Sequence, residues 1–273
     1  MKNLFQIHDW KIIEKGFDPN KQIKAESIFS IGNGAFGQRA NFEEQYSGNS
    51  LQGSYIGGIY YPDKTKVGWW KNGYPEYFAK VLNSCNWIGI DIEYNNQKLD
   101  LANCKVISFY RELDMYNGIL TRKFISSFND NKTIEITSRR FCSMDNESIA
   151  AISYSFKPIN FSGKIKVTSY LDSNISNNDS NYNEKFWLEN KKQATTTTSF
   201  ITTKTKKTDF IVSFAMRNRL LKNNNEFQTN VKPIEKELYV ANQFDFFVEK
   251  ENMYEIQKHV AISSSISSFN KKN

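Results

Sequence analysis

The sequence predicts an all-β fold, a large antiparallel sandwich of two sheets with few short helices. Three observations carry that prediction. From about residue 85 onward, short segments of strand character recur between turn signals at intervals of roughly 8–16 residues, the rhythm of a sandwich or barrel. Aromatic residues make up 15% of the 273-residue chain, with 21 Phe, 14 Tyr and 5 Trp, and these side chains suit the half-buried face of a pleated sheet. Helix signals are confined to two stretches. Asp18-Pro19 can cap and start a short helix through Lys24, and Lys232–Leu238 can form a turn or two.

In chain order, Trp87–Tyr94 alternates, Asn95-Asn96-Gln97 breaks the pattern and Lys98–Tyr110 resumes it, which reads as a hairpin. Phe109–Leu113 and Ile119–Phe128 flank Asn117-Gly118, a pair whose tolerance of positive φ predicts a tight two-residue turn. Further strands are expected at Thr133–Phe141, Ile149–Phe156, Lys164–Leu171, Thr195–Thr203, Asp209–Met216, Tyr239–Val248 and Tyr254–Ser263. In Lys164-Ile165-Lys166-Val167-Thr168 polar and aliphatic side chains alternate, the period of a strand wet on one face and buried on the other. Asn174–Asn183 and Lys222–Asn230 are polar and Asn-rich and read as surface loops. With no composition break and no internal repeat, one domain over 1-273 is expected.

Composition removes several function classes. Mean hydropathy is −0.59, and no apolar run approaches the ~20 residues that cross a bilayer. The first ten residues lack a signal-peptide core, so a cytoplasmic location is expected, with no membrane partner. Net charge is +7, but lysines alternate with acids and polar residues and no block of five or six like charges forms, which argues against a nucleic-acid partner. Cys85, Cys104 and Cys142 are too few for a disulfide framework, and with two histidines they make no zinc spacing. They read as buried, inert thiols. Asn-x-Ser/Thr matches at Asn131, Asn146, Asn160, Asn174 and Asn178 arise readily in so Asn-rich a chain.

Gly32-Asn33-Gly34-Ala35-Phe36-Gly37 matches the dinucleotide fingerprint letter by letter. That chemistry needs a helix starting at the third glycine, so that its amide groups meet a pyrophosphate. The chain instead continues into Gln38–Glu44 and then Gly48, Gly53, Gly57 and Gly58, which cannot be that helix. The structural reading is a tight turn with close backbone approach at Gly32, Gly34 and Gly37, in which Arg39 pairs with Glu43 or Glu44.

The same segment carries a resemblance. Glu26-Ser27-Ile28-Phe29-Ser30-Ile31-Gly32 through Glu44, continued by Gly53-Ser54-Tyr55-Ile56-Gly57-Gly58-Ile59-Tyr60, resembles the opening motif of glycoside hydrolase family 65, which contains maltose, kojibiose and trehalose phosphorylases. Asn83–Ile90, Tyr110–Met115 and Gly118–Arg122 are similar to its later landmarks, with Ala40 standing where a glycine is expected. The resemblance implies a galactose-mutarotase-like super-sandwich that precedes a helical linker, a catalytic α/α barrel and a small β domain. It implies an inverting reaction in which inorganic phosphate replaces water, one acid protonating the glycosidic oxygen as phosphate attacks the opposite face. The acid and the phosphate-holding groups belong to the barrel, so no catalytic residue carries over to this chain, and no metal or organic cofactor is implied. The expected partner is the protein's own barrel, with disaccharide and phosphate as the parent's substrates and a homodimer left open.

Trp69-Trp70-Lys71-Asn72-Gly73-Tyr74-Pro75-Glu76-Tyr77-Phe78 is the other distinctive stretch. Aromatic rings beside amides and carboxylates suit sugar contact, an interface or plain core packing. Trp69, Trp70, Lys71, Tyr74 and Tyr77 are therefore candidate interface or sugar-contact residues. Asp63, Glu76, Asp91 and Glu93 can be weighed as paired glycosidase acids, against the plainer reading of solvated surface carboxylates. Two alternatives to a supporting domain remain open here. One is a free-standing carbohydrate-binding sandwich; the other is a mutarotase-like epimerase, whose only candidate histidine acids are His8 and His259.

Overall fold

The computed structural model describes residues 5–66, 73–180 and 182–266. The chain enters through the hairpin β1 (Phe5–His8) and β2 (Lys11–Lys15), then a 3-10 turn (Pro19–Lys21) and the helix α1 (Gln22–Ile28). Next come β3 (Ile31–Gly32), β4 (Phe36–Gln38), β5 (Ser54–Ile56), β6 (Tyr60–Lys64) and β7 (Tyr77–Val81). β8 (Ile90–Tyr94) and β9 (Gln97–Lys98) precede the long strands β10 (Lys105–Asp114), β11 (Ile119–Ser127), β12 (Thr133–Cys142), β13 (Ile149–Pro158) and β14 (Gly163–Asp172). The series closes with β15 (Trp187–Ala194), β16 (Thr198–Thr205), β17 (Ile211–Lys222), β18 (Asn225–Glu226), β19 (Val231–Lys236), β20 (Tyr239–Val248) and β21 (Tyr254–Ser264). Strand accounts for 55% of the chain and helix for 5%, which makes the fold all-β as predicted.

An 11-stranded sheet runs β1-β2-β10-β11-β12-β13-β21-β17-β16-β15, with β18 paired to β17, and it faces a 5-stranded sheet ordered β19-β20-β14-β8-β9. Two small sheets, β3-β4-β5 and β6-β7, supplement this sandwich. Every paired strand is antiparallel. Alternation decides which face is inside: along β14, Ile165, Val167 and Leu171 are buried while Lys164, Lys166 and Thr168 look outward. Aromatic rings lock the two sheets together. Phe156 and Tyr254 of the large sheet stack at 5.6 Å, and Phe246 of the small sheet lies 5.8 Å from Tyr254.

Three local expectations are corrected. Lys232–Leu238 is not helical but lies largely in the edge strand β19, which pairs with β20. Pro233 fits there because an edge strand can leave one position without an N–H donor. The turn at Asn117-Gly118 is not two residues long: Asp114 pairs with Ile119, so Met115 and Tyr116 join it in a four-residue loop. Gly118 does take the expected positive φ, +65°, while the Asp114 side chain accepts from the Asn117 amide at 3.0 Å. The tight two-residue turn lies instead between β8 and β9, where Asn95 and Asn96 have φ of 48° and 61°, the signature of a hairpin turn. Asp18 caps the 3-10 turn by accepting from the Asn20 amide at 3.0 Å, and the helical stretch continues past Lys24 to Ile28.

Candidate functional site

The glycine motif forms the β3–β4 hairpin, and its geometry explains the residue types. At Gly32 a Cβ would fall 2.9 Å from the Phe36 carbonyl oxygen, and Gly34 has φ +90°. The Asn33 side-chain oxygen accepts from the Ala35 and Phe36 amides at 3.2 and 3.1 Å, while its side-chain amide donates to the Ser143 and Glu147 carbonyls at 2.8 and 3.1 Å. One asparagine thus closes the turn and ties it to the loop after β12. No helix begins at Gly37, because β4 continues through Gln38; the helix α1 precedes the motif, so the pyrophosphate geometry is not built. Ala40 is buried without strain, its amide donating to the Glu26 carbonyl at 2.8 Å.

Arg39 does not pair with Glu43 or Glu44, contrary to the sequence expectation. It turns toward α1 and the Leu51 turn, donating to Ser27 Oγ at 2.7 Å, the Leu51 carbonyl at 2.8 Å and the Ile23 carbonyl at 3.0 Å. The two glutamates point the other way, onto the inner face of the large sheet. There Glu14, Arg111, Arg122, Ser138 and Tyr154 stand side by side in register across five strands. Arg122 donates to both Glu43 and Glu44; Arg140 reaches Glu43 at 3.0 Å, Ser138 Oγ donates to Glu43 at 2.7 Å, and Tyr154 donates to Glu44. All of these side chains are buried. Arginines also clamp the backbone of the motif, Arg140 donating to the Asn41 and Arg39 carbonyls at 3.0 and 3.1 Å.

Burial works against the charge on both glutamates, and the outcome differs. Around Glu43 it is outweighed by Arg122 and Arg140, which hold the carboxyl down at about 2. Glu44 shares Arg122 with its neighbour, and burial raises its pKa despite that cation. Sequence reasoning missed Arg111, Arg122 and Arg140 as members of this seam. The available signal was phase: each sits at an inward position of an alternating strand, where an apolar residue is the default.

The other expected residues lie on an outer face. The β6–β7 hairpin presents Tyr74 at 50% exposure, Tyr77 and Phe78 at 44% and Val81 at 58%; Tyr74 and Phe78 meet edge to face at 6.3 Å. Trp69, Trp70 and Lys71 lie outside the described residues. Between this hairpin and the glycine motif runs a hollow of ≈ 510 Å³ whose wall includes Gly34, Phe36, Ile56, Gly57, Ile59 and Val81. Ile266 closes one rim, placed so that a Cβ on Gly58 would fall 2.8 Å from its Cδ1. The glycine motif and the β6–β7 hairpin, separate in sequence, therefore share one apolar hollow, the hairpin contributing Tyr60 and Val81.

Other chemistries find no assembled site among the described residues. Asp63 is buried against Lys80 at 2.7 Å, Asp91 pairs with Lys98 at 3.1 Å and Glu93 with Lys166 at 2.6 Å, while Glu76 is exposed on the β7 side. His8 and His259 sit on strands six places apart in the large sheet, roughly 28 Å at ordinary strand spacing. They cannot serve one sugar ring. Cys85 and Cys142 are buried, and burial pushes both thiols up to about 12, far from a nucleophile's range. Among the described residues no group of three or more His, Cys, Asp or Glu is placed to hold a metal ion, and no helix is long and apolar enough to cross a membrane.

These features define a large antiparallel sandwich domain whose acids and arginines serve its own core and whose glycine motif faces outward. The chain belongs to the family described as glycosyl hydrolase family 65, N-terminal domain, whose profile matches residues 12–272. It is 38% identical over 264 residues to maltose phosphorylase of Bacillus subtilis, an alignment covering 97% of this chain and 34% of that protein. It is 35% identical over 187 residues to α,α-trehalose phosphorylase of Thermoanaerobacter brockii, covering 66% of this chain and 24% of that protein. A solved structure from the human microbiome, provisionally assigned as a kojibiose phosphorylase, superposes with TM-score 0.85 at 27% identity, covering 97% of this chain and 33% of that one. The chain spans about a third or less of the length of these relatives.

Proposed function

We propose that this chain is the non-catalytic N-terminal domain of an inverting disaccharide phosphorylase, one domain over 1-273, and that it supports a catalytic barrel located elsewhere in the protein. The observation that carries this reading is the family match over nearly the whole chain, to relatives named as phosphorylases of which it spans about a third. In such a protein inorganic phosphate and an α-linked disaccharide are the substrates, glucose 1-phosphate and glucose the products, and the acid and phosphate-holding groups belong to the barrel. No metal or organic cofactor enters that scheme. A cytoplasmic location belongs to the same reading, and a homodimer is compatible with it.

The docking face in this reading is the one shared by the glycine motif and the β6–β7 hairpin. It is apolar, half-exposed Val81 stands in its wall beside Gly34, Phe36, Ile56, Gly57 and Ile59, and Ile266, just after β21, closes one rim. Interfaces between domains of one chain bury ~600–1,500 Å², and an exposed apolar patch needs a partner. The test is glucose 1-phosphate release from maltose, kojibiose and trehalose with phosphate. The isolated 273-residue chain is expected to release none, and a longer protein that adds a barrel is expected to act on one of the three. Product formed by the isolated chain would overturn the division of labour.

A further inference from the structure

The sequence holds three Asn-Gly pairs, Asn33-Gly34, Asn72-Gly73 and Asn117-Gly118. Such a pair is chemically labile, because glycine leaves the following amide nitrogen unshielded and the backbone free to bring it against the asparagine carboxamide. Asn72 lies outside the described residues, so the comparison is between the other two. Both of their glycines are sterically open: Gly34 and Gly118 have nothing within 4 Å of where a Cβ would sit. What separates the two pairs is how the asparagine side chain is held.

Asn33 is gripped at both ends. Its side-chain oxygen accepts from the Ala35 and Phe36 amides at 3.2 and 3.1 Å, and its side-chain amide donates to the Ser143 and Glu147 carbonyls at 2.8 and 3.1 Å. To turn its carboxamide carbon onto the Gly34 nitrogen, Asn33 must give up these bonds and with them the tie between the β3–β4 hairpin and the loop after β12. Asn117 stands in the loop between β10 and β11, where residues 115–118 are all exposed. Its side-chain amide donates to the Asp114 carboxylate at 3.0 Å, a bond that water reaches. Loop tips of this kind open locally at little cost.

We infer that Asn117 is a site of spontaneous deamidation in the folded chain, and that the fold protects Asn33 from the same reaction. The Gly118 amide nitrogen, its proton removed by hydroxide, bonds to Asn117 Cγ. The Cγ–Nδ2 bond breaks, and Nδ2 leaves as ammonia after taking a proton from water. The resulting succinimide ring takes up one water at either carbonyl and opens to aspartate or isoaspartate. The net change is one water consumed and one ammonia released, with no oxidant or cofactor. The product sets a second carboxylate beside Asp114, which already accepts from the Asn117 backbone amide at 3.0 Å and pairs with Lys11 at 3.5 Å. Isoaspartate also lengthens the main chain of the loop by one carbon.

The test is a time course of the 273-residue chain in mildly alkaline buffer, folded and in urea, read by tryptic peptide mapping with mass spectrometry. The peptides Glu112–Arg122 and Ala25–Arg39 each hold a single asparagine, Asn117 and Asn33. In the folded chain Asn117 is expected to convert at least about tenfold faster than Asn33, since freeing Asn33 breaks several hydrogen bonds at once. In urea neither side chain is held, and the two rates are expected to converge. No conversion of Asn117 in the folded chain, equal rates there, or conversion of Asn33 ahead of Asn117 overturns the assignment. A difference that persists unchanged in urea also overturns it, because the cause would then lie in the neighbouring sequence and not in the fold. Failure of the phosphorylase reading would leave these rates as they stand.

Discussion

Lys258, on the large sheet, donates a hydrogen bond to the backbone carbonyl of Tyr170, on the small sheet, at 2.7 Å. A second bond runs from the same ammonium to the Gly89 carbonyl at 3.0 Å. The side chain is fully buried, and burial lowers its pKa to about 7 although Cys85, Glu43 and Asp91 pull it upward. An unfolded chain keeps this lysine protonated up to its ordinary value of 10.5, so between about 7 and that value the unfolded state binds more protons. Folding stability then rises with pH across that window.

The first prediction rests on that sign. Between pH 7 and pH 10 the wild-type chain gains stability relative to Lys258→Met by on the order of a few kcal/mol, since methionine has nothing to titrate. Urea denaturation of both proteins at several pH values measures it. Parallel curves would show that the ammonium is well solvated in the folded state.

Two adjacent glutamates should respond differently to the same substitution. Glu43 is held ionised at about 2 by Arg122 and Arg140 against the effect of burial, so Glu43→Gln leaves two buried guanidinium groups short of a counter-charge. That costs about 3–5 kcal/mol at pH 7. Glu44 has a raised pKa, led by burial, and glutamine can accept from Arg122 with its oxygen while its amide donates to the Tyr154 hydroxyl, so Glu44→Gln is expected to cost about 1 kcal/mol or less. The Glu43 contribution is present above the ordinary glutamate range and lost as pH falls through about 2. Denaturation of the two variants from pH 7 to pH 2 tests both the ranking and the direction.

What could be read from sequence divides along physical lines. Long strands with one wet and one buried face, such as β14, announce themselves because period-two alternation comes from the pleat. The strands β3–β7 did not, since two to five residues give too little pattern. The edge strand β19 also escaped, because it has no buried residue and so no alternation to detect. The glycine turn was legible because close approach and positive φ demand specific residue types. Its charge partners were not: Arg39 was matched with nearby acids, whereas Glu43 finds Arg122 at a separation of 79 residues. Only the sheet register brings those two together.

The loop between β10 and β11 permits a backbone test. Gly118 has φ +65°, with nothing within 4 Å of where a Cβ would sit, so a substitution there adds strain without a steric clash. Gly118→Val is expected to destabilise the chain by about 1 kcal/mol or more, and Gly118→Asn by less, because asparagine tolerates the left-handed region. Melting temperatures of the two variants provide the comparison. Equal values would show that the loop can relax to negative φ.

The last prediction concerns the docking face and uses its own chemistry as the control. Val81 is 58% exposed at the rim of the hollow shared with the glycine motif, and Tyr77 is 44% exposed on the same strand. A charge at Val81 costs the isolated chain little, because water already reaches that side chain. In a longer protein that buries the same face against a barrel, Val81→Asp places an unpaired carboxylate in a desolvated contact, which costs several kcal/mol. The expected pattern is an unchanged Tm for the isolated variant and a lowered Tm or phosphorolysis rate for the longer one, with Tyr77→Ala weaker in the same direction. An indifferent Val81→Asp in the longer protein would move the interface to another surface of the sandwich.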